Sequence, residues 1–129
     1  MKHLIGHVEG VWISKASHLE GIMNRIAERC GFHVVAQAFH QFEPHGATGV
    51  LVLSESHFSA HTYPELNKVY LDVFCCSPNF DTKLTSDIIE EEFAAMKGHW
   101  ETISRFDPRN LERSWGRSPV FLVSGEPPI

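Results

Sequence analysis

Gly49-Val50-Leu51-Val52-Leu53-Ser54-Glu55-Ser56-His57-Phe58-Ser59-Ala60-His61-Thr62-Tyr63-Pro64-Glu65 is the stretch on which the reading of this sequence turns. Its opening is an aliphatic, β-branched run that reads as a buried strand over 49–54. A second strand is expected over 57–63, closed by Pro64, with no room for a helix between the two. Serine hydroxyls, two imidazoles and two carboxylates arrive within a dozen residues of the apolar run. Burying such groups unpaired costs roughly 2–7 kcal/mol each, so a sequence that turns polar this abruptly is holding them for chemistry.

Working outward, residues 4–12 read as a first strand and 33–42 as a second, ended by a turn at Glu43-Pro44-His45-Gly46. Between them lies the clearest helix. Ser17-His18-Leu19-Glu20 has the form of a capping box, Leu19, Ile22, Met23, Ile26, Ala27 and Cys30 recur at helical spacing, and Gly31 supplies the stop. Residues 68–76 read as a further strand broken by Ser77-Pro78-Asn79. A second helix is expected over 82–97, with Leu84, Ile88, Ile89, Phe93 and Met96 towards the sheet and Glu90, Glu91 and Glu92 mostly towards solvent. Gly98 is its expected stop, and 99–106 a last strand. Beyond Asp107-Pro108 the pattern fades: Val120–Val123 has the composition of a short strand, but Pro127-Pro128 argues for an irregular tail over 107–129. Residues 33–76 hold no helical crossover, which a parallel sheet requires. The expected fold class is therefore α+β: a single domain over 1–129, built as a two-layer α/β sandwich, an antiparallel sheet with helices packed on one face.

The 129 residues suffice for one such domain. A formal charge of −5 argues against a nucleic-acid partner, since phosphate binding wants a basic face. No apolar run approaches the roughly 20 residues of a membrane span, and the amino terminus does not open a signal peptide. Cys30, Cys75 and Cys76 are odd in number and include an adjacent pair, a poor disulfide framework, so a reducing, cytoplasmic setting is expected.

Three chemistries are compatible with the central stretch. His57 and His61 share a strand face, as metal ligands sometimes do, but adjacent Cys75 and Cys76 point to opposite faces and complete no site, so no metal is assigned. A serine hydrolase wants a glycine-flanked nucleophile elbow, which Ser54, Ser56 and Ser59 lack. The third is self-processing at Glu55-Ser56: the serine hydroxyl takes over the acyl group, loss of the α-proton expels the ester, and hydrolysis leaves a pyruvoyl group. That route wants a serine at a tight, strained turn and a base able to reach its α-carbon, for which His61 is a candidate. Spacing alone does not rank the third route above the other two.

Phe39-His40-Gln41-Phe42, Gly46, Gly49-Val50, the block Ser54-Glu55-Ser56-His57 with His61 and Pro64-Glu65, and Asp72-Val73-Phe74-Cys75-Cys76 together resemble prokaryotic S-adenosylmethionine decarboxylases. With Gly6-His7 and the first helix, the resemblance covers residues 4–77. It implies that Ser56 is the precursor of a pyruvoyl cofactor, freed by cleavage after Glu55 into pieces 1–55 and 56–129, and that His61 assists processing. It implies that Cys76 is the general acid, the family's cysteine standing twenty residues after the precursor serine. Phe42 matches the aromatic that stacks on the substrate's adenine and Glu65 the acid near its ribose. The implied substrate is S-adenosylmethionine, the implied assembly a homodimer of αβ units with active sites at the interface, and the implied product feeds polyamine (spermidine) synthesis.

The chemistry is coherent with the residues. A pyruvoyl ketone forms a Schiff base with the substrate's amine and draws electrons as carbon dioxide leaves, and a thiol suits protonation of the carbanion. The chain departs from the family pattern at Thr48, which keeps the hydroxyl of a frequent serine, at Tyr63, at 66–69 and at Ser77. The altered 66–69 segment motivates one rival, decarboxylation of a basic amino acid such as ornithine or arginine. A non-processing regulatory paralogue is the other.

Overall fold

Among the described residues, six strands form one antiparallel sheet in the order β2-β3-β4-β5-β1-β6. The computed structural model describes residues 1–105: β1 (Lys2–Glu9), α1 (Ala16–Cys30), β2 (Val34–Gln41), β3 (Ala47–Leu53), β4 (His57–Tyr63), β5 (Lys68–Cys75), α2 (Thr82–Glu92) and β6 (Lys97–Ser104). A short 3-10 turn, Pro64–Leu66, joins β4 to β5. Both helices cover the same face, α1 over β2 and β3 and α2 over β1 and β6, so the expected α+β sandwich is what the chain forms. The expectations for 107–129, including the strand at Val120–Val123, lie outside the described residues.

Alternation explains the core. On β4, Phe58, Ala60 and Thr62 are buried under the helices while His57, Ser59, His61 and Tyr63 point to the other face. β5 does the same with Val69, Leu71, Val73 and Cys75 against Lys68, Tyr70, Asp72 and Phe74. From α1, Leu19, Ile22, Met23, Ile26 and Ala27 enter the core at the spacing read from the sequence, and Gly31 ends the helix at φ 73°.

The amino end of α1 differs from expectation. The helix starts at Ala16, two positions early, and no capping box forms at Ser17 and Glu20. A strand side chain does the capping instead: the Ala16 N–H donates to Gln41 Oε1 at 2.6 Å, while Gln41 Nε2 donates to the Ser14 and Gly46 carbonyls. Local spacing does not reveal a cap delivered from twenty-five residues away.

α2 is shorter than expected. It is capped by Asp81, whose carboxylate accepts from the Leu84 N–H at 3.0 Å, and it ends at Glu92. Ala94 takes the left-handed position (φ 51°) that Gly98 was expected to supply, and Gly98 lies inside β6. Met96 is consequently exposed, and Leu84 is exposed beside the cavity described below. Nor do the three glutamates simply face water: Glu90 accepts from the Trp100 indole at 2.7 Å, and Glu92 pairs with Arg25 and Arg29.

Ile89 is fully buried, while Leu84 is 53% exposed. Ile89→Ala should therefore lower the unfolding free energy by about 2–5 kcal/mol in urea titrations, and Leu84→Ala by well under about 1 kcal/mol.

Candidate active site

β3 and β4 are joined by Ser54, Glu55 and Ser56, and the mutual hydrogen bonds of Leu53 and Ser56 close a turn with Ser54 and Glu55 at its tip. The Leu53 N–H donates to the Ser56 carbonyl at 2.9 Å and the Ser56 N–H to the Leu53 carbonyl at 3.5 Å. Ser54 and Glu55 both keep negative φ, so the turn is tight without a left-handed residue. A further bond, from the Ser54 N–H to the His33 carbonyl at 3.1 Å, ties the turn to the start of β2.

This end of the sheet opens onto a cavity of about 420 Å³, bounded by the end of α1 and the start of α2 and lined in part by Phe32, Ser54, Glu55, Ser56, Cys76 and Phe80. The two adjacent cysteines are sorted by strand alternation. Cys75 is buried as the last core residue of β5. Cys76 is half-buried, and its thiol donates to the Glu55 carbonyl oxygen at 3.3 Å and to Glu55 Oε2 at 3.4 Å. Burial first, and the neighbouring Glu55 carboxylate second, hold the Cys76 thiol above its ordinary pKa. It is a protonated donor at neutral pH, aimed at the one carbonyl that the Ser56 hydroxyl would have to attack.

Glu55, Ser56 and Cys76 are thus brought together; His61, Phe42 and Glu65 are not. His61 stands five residues further along β4, about 16 Å at 3.3 Å per residue. There its Nδ1 lies 3.0 Å from the hydroxyl of Thr48, its register partner on β3. The hydroxyl kept at position 48 is therefore the group that orients His61, a pairing visible only once the strands are in register. Phe42 and Glu65 lie at the opposite end of the sheet, more than about 20 Å from Ser56 by the same rise. Phe42, just past β2, is exposed and meets His40 edge-on at 4.7 Å; Glu65, in the 3-10 turn, is exposed with its carboxylate 3.6 Å from His45 Nε2. His57 turns not towards His61 but towards Asp72, at 2.7 Å.

Comparison with known proteins identifies the family. Residues 2–106 match the family described as S-adenosylmethionine decarboxylase. A protein of Pyrococcus horikoshii named S-adenosylmethionine decarboxylase proenzyme is 38% identical over 93 residues, 72% of this chain and 67% of its own. One of the same name from Persephonella marina is 39% identical over 123 residues, 92% of this chain and 84% of its own. The adenosylmethionine decarboxylase of Aquifex aeolicus, solved as a crystal structure, superposes with a TM-score of 0.75 at 24% identity, over 82% of this chain and 90% of that one, and so shares the fold. By the match over residues 2–106 and these relatives, the chain belongs to the S-adenosylmethionine decarboxylase family.

Proposed function

We propose that this chain is a proenzyme that cuts itself between Glu55 and Ser56 and then decarboxylates S-adenosylmethionine, supplying aminopropyl groups for polyamine synthesis. The observation that carries the reading is the thiol of Cys76 at 3.3 Å from the Glu55 carbonyl, in the turn that also holds Ser56, at the mouth of a cavity. The names of the family and of its relatives favour the adenosyl substrate over a basic amino acid.

Cleavage follows from these groups. The Ser56 Oγ adds to the Glu55 carbonyl carbon while the Cys76 thiol, donating to the carbonyl oxygen, steadies the charge developing there. Collapse breaks the C–N bond, with the hydroxyl proton passing to the departing nitrogen, and leaves Glu55 esterified to Oγ and the Ser56 nitrogen as a free amine. Removal of the Ser56 α-proton expels the Glu55 carboxylate from Cβ. Water then replaces the nitrogen, which leaves as ammonia, and residue 56 ends as a pyruvoyl group. The residues present fit that group: position 56 immediately precedes β4, which is held by β3, and borders a space large enough for a ligand. When formed, the pyruvoyl supplies an electron-withdrawing carbonyl for decarboxylation. The chain's own part is to bind substrate, exclude water and return a proton to carbon, the role assigned to Cys76.

The remaining residues act from a second copy. The uncovered face of the sheet carries Phe42, Val52, Tyr63, Tyr70 and Ile103, each more than a third exposed, an apolar set that a solvated sheet face does not normally present. A copy stacked face to face in the reverse direction brings the far end of its sheet beside the Ser54–Ser56 turn, the end of the sheet at which the cavity opens. The αβ units then form a homodimer, each site built from Ser56 and Cys76 of one copy with Phe42, Glu65 and the Thr48-oriented His61 of the partner subunit. No helix among the described residues is long and apolar enough to cross a membrane, and the three free thiols suit a reducing, cytoplasmic setting.

Four outcomes test this. Intact-mass analysis of the wild type should resolve fragments 1–55 and 56–129, with Ser56→Ala remaining one 14.6 kDa chain; a folded wild type that stays whole overturns the reading. Cys76→Ala should cut more slowly and lose about 10²–10⁴-fold in turnover. Because the thiol pKa is raised, the protonated acid persists to higher pH and activity falls only as pH rises through that value; Cys76→Ser should lose this alkaline limb from its residual rate. Finally, Cys76→Ala mixed with the double variant Phe42→Ala, Glu65→Ala, each inactive alone, should regain about a quarter of wild-type activity, since random pairing leaves one intact site in half of the dimers. No recovery after subunit exchange would sink the shared site.

A further inference from the structure

On the open face, beside the cleavage turn, the Asp72 carboxylate of β5 lies between imidazoles from both flanking strands. His3 Nε2 of β1 is 2.6 Å and His57 Nε2 of β4 is 2.7 Å from the same oxygen, Oδ2, while the Ser59 hydroxyl donates to Oδ1. Register produces the convergence: His3 and His57 stand opposite Phe74 from its two sides, two residues along from Asp72, and all three side chains leave the sheet on one face. In the single chain their exposures of 15%, 41% and 25% leave the cluster partly sheltered but reachable, and in the proposed homodimer it lies between the stacked faces next to the cleavage turn.

We propose that His3 Nε2, His57 Nε2 and Asp72 Oδ2 form a binding site for a divalent transition-metal ion of the zinc class, with its fourth position open to water. Two imidazoles and one carboxylate are a ligand set that such ions take. A tetrahedral ion with bonds of about 2.0–2.1 Å holds its ligand atoms about 3.3 Å apart, so Oδ2 has to withdraw by about 0.6 Å, within a small side-chain rotation. Ser59, donating to the other carboxylate oxygen, is the outer partner that orients Asp72. Burial pushes the Asp72 carboxyl up, but the hydrogen bonds from Ser59, His3 and His57 outweigh it and keep the group ionised at neutral pH. The other imidazole-carboxylate cluster, His7, Glu9 and His99, is a poorer host, because Lys68 and Lys97 each approach Glu9 to 3.6 Å and already neutralise it.

Arg105 is a built-in competitor. Its guanidinium donates to His3 Nδ1 at 2.9 Å and stacks over Phe74 at 5.2 Å. A donor at Nδ1 leaves the proton on Nε2, where it bonds to Asp72; ligation through Nε2 requires the proton on Nδ1 and hence the departure of Arg105. If the proposed cleavage occurs, His3 belongs to piece 1–55 and His57 and Asp72 to piece 56–129. The ion then clasps the two pieces together next to the cut, a consequence that rests on that reading, whereas the site itself does not.

The test is titration of metal-stripped protein with Co2+, read by visible absorption, and with Zn2+, read by calorimetry, on the wild type and on uncut Ser56→Ala. One ion per chain at micromolar concentration is expected in both, so a failure of cleavage leaves the expected result unchanged. His3→Gln, His3→Ala and Asp72→Asn should each weaken binding by more than the roughly 10–100-fold that loss of an outer-shell partner costs. Arg105→Ala should tighten it, and His99→Ala should leave it unchanged, with circular dichroism confirming the fold of each. Absence of one-to-one binding, binding that survives both His3→Ala and Asp72→Asn, or its loss in His99→Ala overturns the site, and unchanged affinity in Arg105→Ala overturns the competition.

Discussion

The register of β4 between β3 and β5 is the constraint on which the rest depends. Side chains alternate with a period of two, so slipping β4 by one residue would send His57, Ser59 and His61 into the core and Phe58, Ala60 and Thr62 out of it. Phe58 and Ala60, both fully buried, oppose that slip through the hydrophobic contacts they would lose. The two-residue turn at Ser54-Glu55 opposes it as well, because Leu53 and Ser56 must meet to satisfy each other's backbone groups. The apolar half of the strand thereby fixes where the polar half stands: Thr48 against His61, and Asp72 against Ser59. Packing energy on one face of the sheet is converted into chemical geometry on the other.

The same alternation separates two thiols that are neighbours in sequence. Cys75 closes the core and Cys76 leaves the strand beside the Glu55 carbonyl. Partial burial and an adjacent carboxylate both disfavour the thiolate, which is the right bias for a proton donor and the wrong one for a nucleophile. Glu55 therefore acts on the thiol twice: its main-chain carbonyl accepts from it, and its carboxylate disfavours the thiolate.

Much of this was legible in the sequence because it is local. Residues 57–63 were read with the observed bounds, the α1 stripe and its Gly31 stop follow from spacing, and the block at 54–57 carried the family resemblance. What escaped depends on partners distant in the chain. Gln41 caps a helix twenty-five residues before it, Ala94 adopts a conformation that glycine advertises and alanine does not, and Glu90 is claimed by Trp100 across a turn. The His57-His61 pairing suggested by strand spacing dissolves once the sheet is assembled, since each imidazole finds a closer partner on a neighbouring strand. The distance separating His61, Phe42 and Glu65 from Ser56 was likewise hidden, because sequence proximity says nothing about which end of a sheet a loop occupies.

A break between residues 55 and 56 is compatible with this fold for a topological reason. The segment before it supplies β1, α1, β2 and β3, and the segment after it β4, β5, α2 and β6. In the sheet these are interleaved: β3 pairs with β4, and β1 lies between β5 and β6. Two fragments so joined share three strand-strand ladders, β3-β4, β5-β1 and β1-β6, together with the helix contact of α1 on α2. Separating them would expose buried apolar side chains, Leu4 and Val8 of β1 included, so the hydrophobic core opposes separation of two such pieces. The Glu55–Ser56 bond lies in the connection between β3 and β4, where no ladder depends on it, and the Cys76 thiol stands beside its carbonyl.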